Sequence, residues 1–237
     1  MFVDSDDILM PRAVEILYIN AKLHDYDIMQ GSFIKEFKTG EDKTFIASTS
    51  NLITWFHAKI YKVKFLKDKN IRFLPDLRAD EDSHFNAVAW NSTTNKGFTD
   101  EILYLWRNNP NSITRNLDPT EYFKKTYYGY IYGQVEALKK IFYNNNSITS
   151  LLVTNTLINI YYYYMKARFY RLDESKMDNI LSTFKKEKWM QVWLGTGENW
   201  IDIVNNIKAG QVYENNQYVV FFEETFNRWA NRLLKED

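Results

Sequence analysis

Carboxylates stand close together at the start of the chain, where Asp4, Asp6 and Asp7 directly follow the apolar pair at positions 2 and 3. Carboxylates this close repel one another, and a cation or full solvation relieves the repulsion. If the apolar pair ends a strand, alternate side chains point to one side, so Asp4 and Asp6 could hold one divalent metal together with diphosphate oxygens. The alternative is a solvated acidic turn that caps the next helix, and this motif alone does not decide between the two.

A second acidic pair, Glu81-Asp82, stands where a loop enters a helix predicted from Phe85 and Val88. A carboxylate at such a position can act as a general base on an acceptor hydroxyl. The alternative is that Asp80 and Glu81 cap a helix start and balance its positive charge. Taken alone, the motif favours this structural interpretation.

A third segment, residues 55–62, reads Trp-Phe-His-Ala-Lys-Ile-Tyr-Lys. Lys59 or Lys62 could meet a phosphate, and His57 could bind a metal, a phosphate or an acceptor. The alternative is an amphipathic segment with solvated lysines and a packed histidine, and the segment alone favours that interpretation.

Composition limits the classes of function. The 237 residues carry 30 basic and 30 acidic side chains, so no overall positive field marks nucleic acid as a partner. The absence of cysteine excludes disulfides, thiolate zinc sites and cysteine nucleophiles, and three histidines make an all-histidine zinc site a poor prospect. The acidic N-terminus is unlike a signal peptide, and the apolar stretch 148–165 is interrupted by polar residues, which predicts a cytoplasmic protein without a transmembrane segment.

Hydrophobic spacing divides the chain near residue 118 into a mixed α/β part and a nearly all-helical part. The first part is predicted to begin with a strand end at 2–3 and a helix from Pro11 to Ala21. Further strands are expected at 26–37, 44–47, 71–74 and 102–107, with a helix at 82–90. The second part is predicted to form helices at 119–142, 147–172, 173–188, 200–207 and 217–234.

Five of these segments, in their order along the chain, resemble the family 2 glycosyltransferases that build bacterial polysaccharides, and related phage enzymes. The likeness covers residues 1 to about 117. The matching pieces are Phe-Val-Asp-Ser-Asp-Asp at 2–7, Tyr-Asp-Ile-Met-Gln-Gly-Ser-Phe at 26–33, His-Ala-Lys-Ile-Tyr-Lys at 57–62 with Phe65-Leu66, Ile-Arg-Phe at 71–73 with Glu-Asp-Ser-His-Phe-Asn at 81–86, and Tyr-Leu-Trp-Arg at 104–107 with Asn-Ser-Ile-Thr-Arg at 111–115.

The resemblance implies a partial GT-A fold, a Rossmann-like mixed α/β sheet, over residues 1–117. It implies a helical domain over 118–237 that binds the acceptor or forms oligomers. The implied reaction is metal-dependent and inverting, with Mn²⁺ or Mg²⁺ as cofactor. It moves a sugar from a nucleotide-diphosphate sugar, with a UDP-sugar expected first, to a hydroxyl of a glycan or another acceptor.

The same resemblance assigns residues. It implies that Asp6 binds the metal and that Asp4 binds the metal or the nucleotide ribose. Asp82 becomes the base of a single displacement, and Glu81 supports that loop or contacts the acceptor.

The resemblance also implies that His57 and Lys59 face the phosphates of the nucleotide sugar. Ala58 stands where the family usually has glycine, so a slightly different backbone is expected there.

The sequence departs from the family in one respect. In the family, the Asp-x-Asp motif is preceded by a segment that forms the first strands of the nucleotide-binding half. Here the motif begins at residue 4. Three expectations follow: a partner chain supplies that half, as in a split enzyme; a homo-oligomer or the helical part covers the sheet; or the chain is a non-catalytic interaction protein on a truncated glycosyltransferase scaffold. A phosphate-metal hydrolase is a weaker alternative, since it needs further ligands.

Overall fold

A computed structural model describes residues 1–39, 42–48, 54–77, 79–110, 112, 118–173, 175, 178, 179 and 182. The chain forms two compact units. Residues 1–76 and 80–119 make the first, called the sheet unit, while residues 77–79 join the part from 120 onward in the second, called the helical unit.

The sheet unit is built on one mixed sheet. Its strands within the described residues are β1 (Ile8–Leu9), β2 (Ile28–Thr39), β3 (Asp42–Ser48), β4 (Lys59–Tyr61) and β5 (Lys96–Trp106). The strand order in the sheet is β1-β5-β2-β3. Strand β4 also pairs with β2, along the first residues of β2. The β2–β5 pair is parallel, and the other pairs are antiparallel. Strand β2 is therefore the centre of the sheet.

Helix α1 (Ala13–Leu23) covers one face of the sheet. Ala13 and Leu17, one helical turn apart, are buried together with Met29 and Phe33 of β2 and Leu103 of β5. This spacing of four places both α1 residues on one face of the helix. Burial of these side chains removes apolar surface from water, which is the main stabilising contribution to the unit.

Two helices connect β4 to β5 along the chain in the sheet unit. Helix α2 (Val63–Asp68) follows β4 directly. Helix α3 (Glu81–Asn91) precedes β5 and buries Phe85, Val88 and Ala89. The helix predicted at 82–90 is therefore confirmed.

The helical unit contains α4 (Pro119–Asn145) and α5 (Ser150–Phe169). The hydroxyl of Thr149 caps α5 by accepting a hydrogen bond from the Leu152 amide at 3.3 Å. The helices meet where Tyr130 stacks on Tyr163 at a ring separation of 3.8 Å. No helix in the described ranges is both long and apolar enough to cross a membrane. The helices predicted beyond residue 188 lie outside the described residues.

The predicted fold class, a mixed α/β sheet followed by helices, is confirmed by these elements. The strands expected at 26–37, 44–47 and 102–107 exist as β2, β3 and the second half of β5. Two predicted strands are wrong, because residues 2–3 and 71–74 lie outside any strand. Phe2 and Phe73 of these segments pack in an aromatic cluster instead. The first strand comes after the acidic turn and pairs with the end of β5.

Candidate functional site

The ring of Phe2 holds the N-terminal segment against α3. It lies 4.6 Å from the ring of Phe56, 5.2 Å from Phe73 and 5.3 Å from Phe85, measured between centroids. Phe73 in turn stacks on Phe85 at 4.9 Å. Aromatic pairs at such distances add stability beyond their buried area. The acidic turn at Asp4 therefore starts two residues from a fixed anchor.

The buried side chain of Tyr104 ties this turn to β5. Its hydroxyl donates to Asp7 Oδ2 at 2.6 Å and accepts from the Asp4 amide at 3.4 Å. The second oxygen of Asp7 accepts from the Arg107 amide at 2.8 Å. Burial is the main cause that raises the pKa of Asp7, and these two hydrogen bonds oppose it. Asp7 thus has a structural role in the turn, which the sequence analysis missed.

The predicted metal ligands lie at the surface end of the turn. Asp6 Oδ2 accepts a hydrogen bond from Asn109 Nδ2 at 2.7 Å, which orients its carboxylate. Partial burial, and then the charges of Asp6 and Glu81, raise the pKa of Asp4. The two carboxylates therefore lie close enough to repel each other, as the sequence predicted for this pair.

A preformed cage for a metal is not present in the described part of the chain, where no three acidic or histidine side chains are arranged to hold one. The oxygen donors of Asp4 and Asp6 still fit Mg²⁺ or Mn²⁺. Such ions commonly bind one or two carboxylates and complete their coordination with water and substrate phosphates. The hydrogen bond from Asn109 to Asp6 is the kind of outer contact that orients a metal-binding carboxylate.

The second acidic pair starts helix α3. Asp80, just before it, has a left-handed backbone with φ of 60°, and no side chain caps the helix there. Asp82 is half-buried, and its Oδ1 accepts from the Ser83 amide at 2.7 Å. Burial, and then the charges of Glu81 and Asp4, raise the pKa of Asp82 to about 6. A carboxylate with this pKa is ionised at neutral pH and is still basic enough to take a proton.

The two acidic motifs share one electrostatic neighbourhood. The charge of Asp4 raises the pKa of Asp82, and the charge of Glu81 raises the pKa of Asp4. Such mutual effects require the carboxylates to be near each other in space. The fold therefore brings together Asp4, Glu81 and Asp82, although the two motifs are far apart in the sequence.

His57 lies in the interior among aromatic rings. Its ring stacks on Tyr104 at 4.8 Å, with Phe33 at 4.9 Å and Trp106 at 5.1 Å. Burial, and then the charges of Lys59 and Lys35, lower the pKa of His57 to about 4, so it is neutral at pH 7. In this conformation His57 is a packed side chain. This agrees with the alternative interpretation of residues 55–62, which expected a packed histidine.

Lys59 is also buried, with 1% of its surface exposed. Its ammonium donates to the carbonyl of Trp55 at 2.5 Å. Burial lowers the pKa of Lys59 to about 7, and the charge of Asp82 opposes that shift. The structure therefore places Lys59 beside the second acidic motif. The expected contact of His57 and Lys59 with phosphates stays a prediction, because neither side chain is presented to a ligand here.

Ala58, between these two residues, has a φ of 50°. This is the left-handed region that favours glycine, which the resemblance places at this position. The alanine is fully buried, so its methyl group is accommodated in the core cluster. Alanine adopts here a conformation typical of glycine, at a cost of about 1 kcal/mol. The expected difference from the backbone of the family stays a prediction.

Over 134 residues, the chain is 26% identical to the uncharacterized glycosyltransferase EpsJ of Bacillus subtilis (strain 168). The chain resembles a glycosyltransferase in sequence. The match spans 48% of this chain and 38% of EpsJ, well under half of that relative. No family model matches the chain.

Among solved structures, the crystal structure of S. aureus TarS 1-349 in complex with UDP-GlcNAc has a TM-score of 0.42 at 15% identity. The alignment covers 90% of this chain and 68% of that one. The crystal structure of S. aureus TarS has a TM-score of 0.38 at 17% identity, covering 90% of this chain and 41% of that one. Likeness at these scores assigns no function to this chain.

Proposed function

We propose that this chain is a metal-dependent glycosyltransferase of the GT-A type, which moves a sugar from a nucleotide-diphosphate sugar to an acceptor hydroxyl with inversion. The observation that carries the proposal is the contact of Phe2, two residues before Asp4, with Phe85 of α3, three residues after Asp82, which brings the two acidic motifs close together. The charge of Asp4 accordingly raises the pKa of Asp82. The acidic turn has the ligands for a metal-bound diphosphate, and Asp82 of the second motif has the properties of a general base. The partial similarity to the glycosyltransferase EpsJ supports the class of reaction.

In this proposal Asp4 and Asp6 would hold Mn²⁺ or Mg²⁺, and the bound ion would supply positive charge for the leaving diphosphate. Asn109 holds the Asp6 carboxylate in place through its amide. The hydrogen bond from Tyr104 of β5 to Asp7 fixes the turn to the sheet. These hydrogen bonds hold the turn and the Asp6 carboxylate in place before the donor arrives, which lowers the cost of binding.

Asp82 acts as the general base of a single displacement. The acceptor hydroxyl oxygen attacks the anomeric carbon of the sugar, and its proton passes to the Asp82 carboxylate. The bond from that carbon to the diphosphate oxygen breaks, and the diphosphate keeps the electron pair. Glu81, exposed at the start of α3, contacts the acceptor or supports the loop.

Binding is tested first, by calorimetric titration of the chain with UDP in the presence of Mn²⁺. The Asp4→Ala/Asp6→Ala double variant is expected to lose binding, because both carboxylate ligands are removed. Asp76→Ala is the matched control, since Asp76 is an exposed carboxylate elsewhere in the sheet unit. Equal affinity in all three proteins would exclude the acidic turn as the metal-diphosphate site.

Turnover is tested next, by release of UDP from a panel of UDP-sugars with candidate glycan acceptors. Asp82→Asn is expected to lower the rate by about 10²–10⁴-fold, the usual contribution of a general base. UDP binding should remain, because Asp82 does not ligate the metal. A variant that keeps the full rate would show that another group takes the proton. A chain that neither binds UDP nor turns over any donor would favour a non-catalytic interaction protein.

A further inference from the structure

Residues 107–109 follow β5 and lie against the acidic turn. The Arg107 amide donates to Asp7 Oδ1 at 2.8 Å, and the side-chain amide of Asn109 donates to Asp6 Oδ2 at 2.7 Å. The segment also turns on itself, because the Asn109 backbone amide donates to the Arg107 carbonyl at 3.1 Å. The position of this segment therefore decides where Asn109 holds the Asp6 carboxylate.

The middle residue of the segment is bound by Glu36 of β2. The backbone amide of Asn108 donates to Glu36 Oε2 at 3.0 Å. The pairing of β2 with β5 ends just before this contact, where Lys35 is opposite Trp106. Backbone amides that leave a sheet need other hydrogen-bond partners. The Glu36 carboxylate is such a partner for Asn108 beyond the end of the strand.

A carboxylate at position 36 is costly for stability. Only 5% of the Glu36 surface is exposed, and the residue lies in the central strand of the sheet. Burial of a carboxylate costs free energy that hydrogen bonds must offset. An apolar side chain of similar length would avoid this cost, but it could not accept a hydrogen bond from the Asn108 amide. Selection for stability alone would therefore favour an apolar residue here.

The contacts of the segment have different effects. The bond between Arg107 and Asp7 joins the segment and the acidic turn to each other. The bond between Asn108 and Glu36 joins the segment to the central strand. Glu36 thus fixes the segment relative to the sheet, and Asn109 carries that position on to Asp6.

We propose that Glu36 is a positioning residue for Asp6: it holds the Asn108 amide, and through Asn109 it orients the Asp6 carboxylate for a divalent cation. Glu36 acts through the backbone and is not itself a ligand. The role of the cation rests on the proposed function, whereas the effect of Glu36 on Asn109 and Asp6 does not.

The first experiment follows the side-chain amide of Asn109 by proton–nitrogen NMR in the metal-free full chain, assigned with Asn109→Ala. Glu36→Met keeps the length of the side chain and removes the carboxylate. It is expected to shift the Asn109 signals towards those of a solvated amide, because the segment is no longer held in place. Unchanged signals in a folded Glu36→Met variant would overturn the proposal.

Glu36→Gln separates the hydrogen bond from the charge. Its amide oxygen can still accept from Asn108, so the Asn109 signals are expected to stay close to those of the wild type. A shift as large as that in Glu36→Met would show that the negative charge acts, and would overturn the role assigned to the hydrogen bond.

The second experiment measures the affinity for Mn²⁺ by electron paramagnetic resonance. Loss of an outer partner of a metal ligand weakens metal binding by about 10–100-fold, which is the effect expected for Asn109→Ala. Glu36 is one residue further from the ion, so Glu36→Met is expected to weaken binding by about 3–10-fold. Glu36→Gln should restore most of the affinity. Equal affinity of the wild type and Glu36→Met would contradict the proposal.

Glu101→Met is the matched control, since Glu101 is an exposed carboxylate of the same sheet. The substitution removes the same charge without any contact to the 107–109 segment. It is expected to leave both the Asn109 signals and the Mn²⁺ affinity in place. An equal loss of affinity in both variants would show a general effect of charge and would rule out a specific role for Glu36.

A measurement on the wild type covers the case in which Glu36→Met does not fold. The Asn108 amide is expected to exchange its proton with solvent much more slowly than an amide of an unstructured peptide, because it is bound to a buried carboxylate. Exchange as fast as in such a peptide would refute the contact on which the proposal depends.

The outcomes separate this inference from the proposed function. If the Asn109 signals respond to Glu36→Met as expected but the wild type binds neither Mn²⁺ nor UDP, the positioning of Asp6 stands and the glycosyltransferase proposal fails. If the wild type binds both and neither the signals nor the affinity respond to Glu36→Met, the role of Glu36 alone is wrong.

Discussion

Asp82→Asn is expected to make the protein more stable at pH 8 while it lowers turnover. The reason is the raised pKa of Asp82, about 6 against an ordinary value of 3.8. A carboxylate that is harder to ionise in the folded chain than in the unfolded chain destabilises the folded state wherever it is charged. The amide removes that charge and keeps the shape of the side chain.

The magnitude follows from the two pKa values. A difference of about two units corresponds to about 3 kcal/mol of cost for the charged form. A negative charge in the first turn of α3 also gains up to about 1 kcal/mol from the positive end of the helix, which asparagine gives up. The burial cost exceeds this gain, so a net stabilisation of about 2 kcal/mol is expected.

The stabilisation by Asp82→Asn is expected to shrink to zero as the pH falls, without changing sign. The folded-state pKa of Asp82 is raised, so its cost is fully present above about pH 6 and is lost as the pH falls through 6 towards 4. The assay is urea unfolding of the wild type and Asp82→Asn at several values from pH 4 to pH 8. The two curves of free energy of unfolding against pH should converge at the acid end.

Asp76→Asn is the control, since this carboxylate is exposed. It should change the free energy of unfolding by less than about 0.5 kcal/mol at every pH, as surface substitutions usually do. A variant Asp82→Asn that is no more stable than the wild type at pH 8, or a gain that does not depend on pH, would refute the argument that burial strains this carboxylate.

Three further substitutions test the framework of the site. Tyr104→Phe removes the donor to Asp7 and should lower the free energy of urea unfolding by about 1.5–3 kcal/mol, because a bond to a charged group is lost. Phe2→Ala should cost about 1–3 kcal/mol in the same assay and weaken Mn²⁺-dependent UDP binding, since the half-buried ring anchors the acidic turn. Gly97→Ala should cost about 1–3 kcal/mol, seen as a lower Tm, because a methyl group there overlaps the ring of Tyr26.

The elements that could be predicted from the sequence are those whose pattern is local. The alternation in 26–37 identifies β2, and the spacing of Phe85 and Val88 identifies α3. The strand expected at 71–74 is wrong because its apolar residues serve a contact that the local pattern does not reveal. Ile71 is buried, and Phe73 stacks on Phe85 outside any strand.

For the candidate site, too, the local sequence pattern predicts some residues and misses others. The acidic residues of both motifs could be chosen from their types and spacing, and the structure brings Asp4 and Asp82 into one electrostatic neighbourhood. The partners that hold them could not, because they come from distant strands. Tyr104 of β5 donates to Asp7, and Lys59 of β4 lies near enough to Asp82 for the carboxylate charge to affect its pKa. Nothing in the segment around Lys59 distinguishes a buried lysine from a solvated one before β4 is placed next to β2.

Two costly ionisable groups lie at one place in the sheet unit. Asp80 and Ala58, which flank the elements that carry them, have left-handed backbones at φ of 60° and 50°, a conformation that Arg12, Asp25 and Asn70 of the same unit share. The same place holds a half-buried carboxylate with a pKa of about 6 and a buried lysine with a pKa of about 7. Strongly shifted pKa values cluster at functional sites, because selection for stability alone removes them. This local cost favours an active site over a purely structural scaffold, and it is the reason that the gain in stability from Asp82→Asn should come with a loss of turnover.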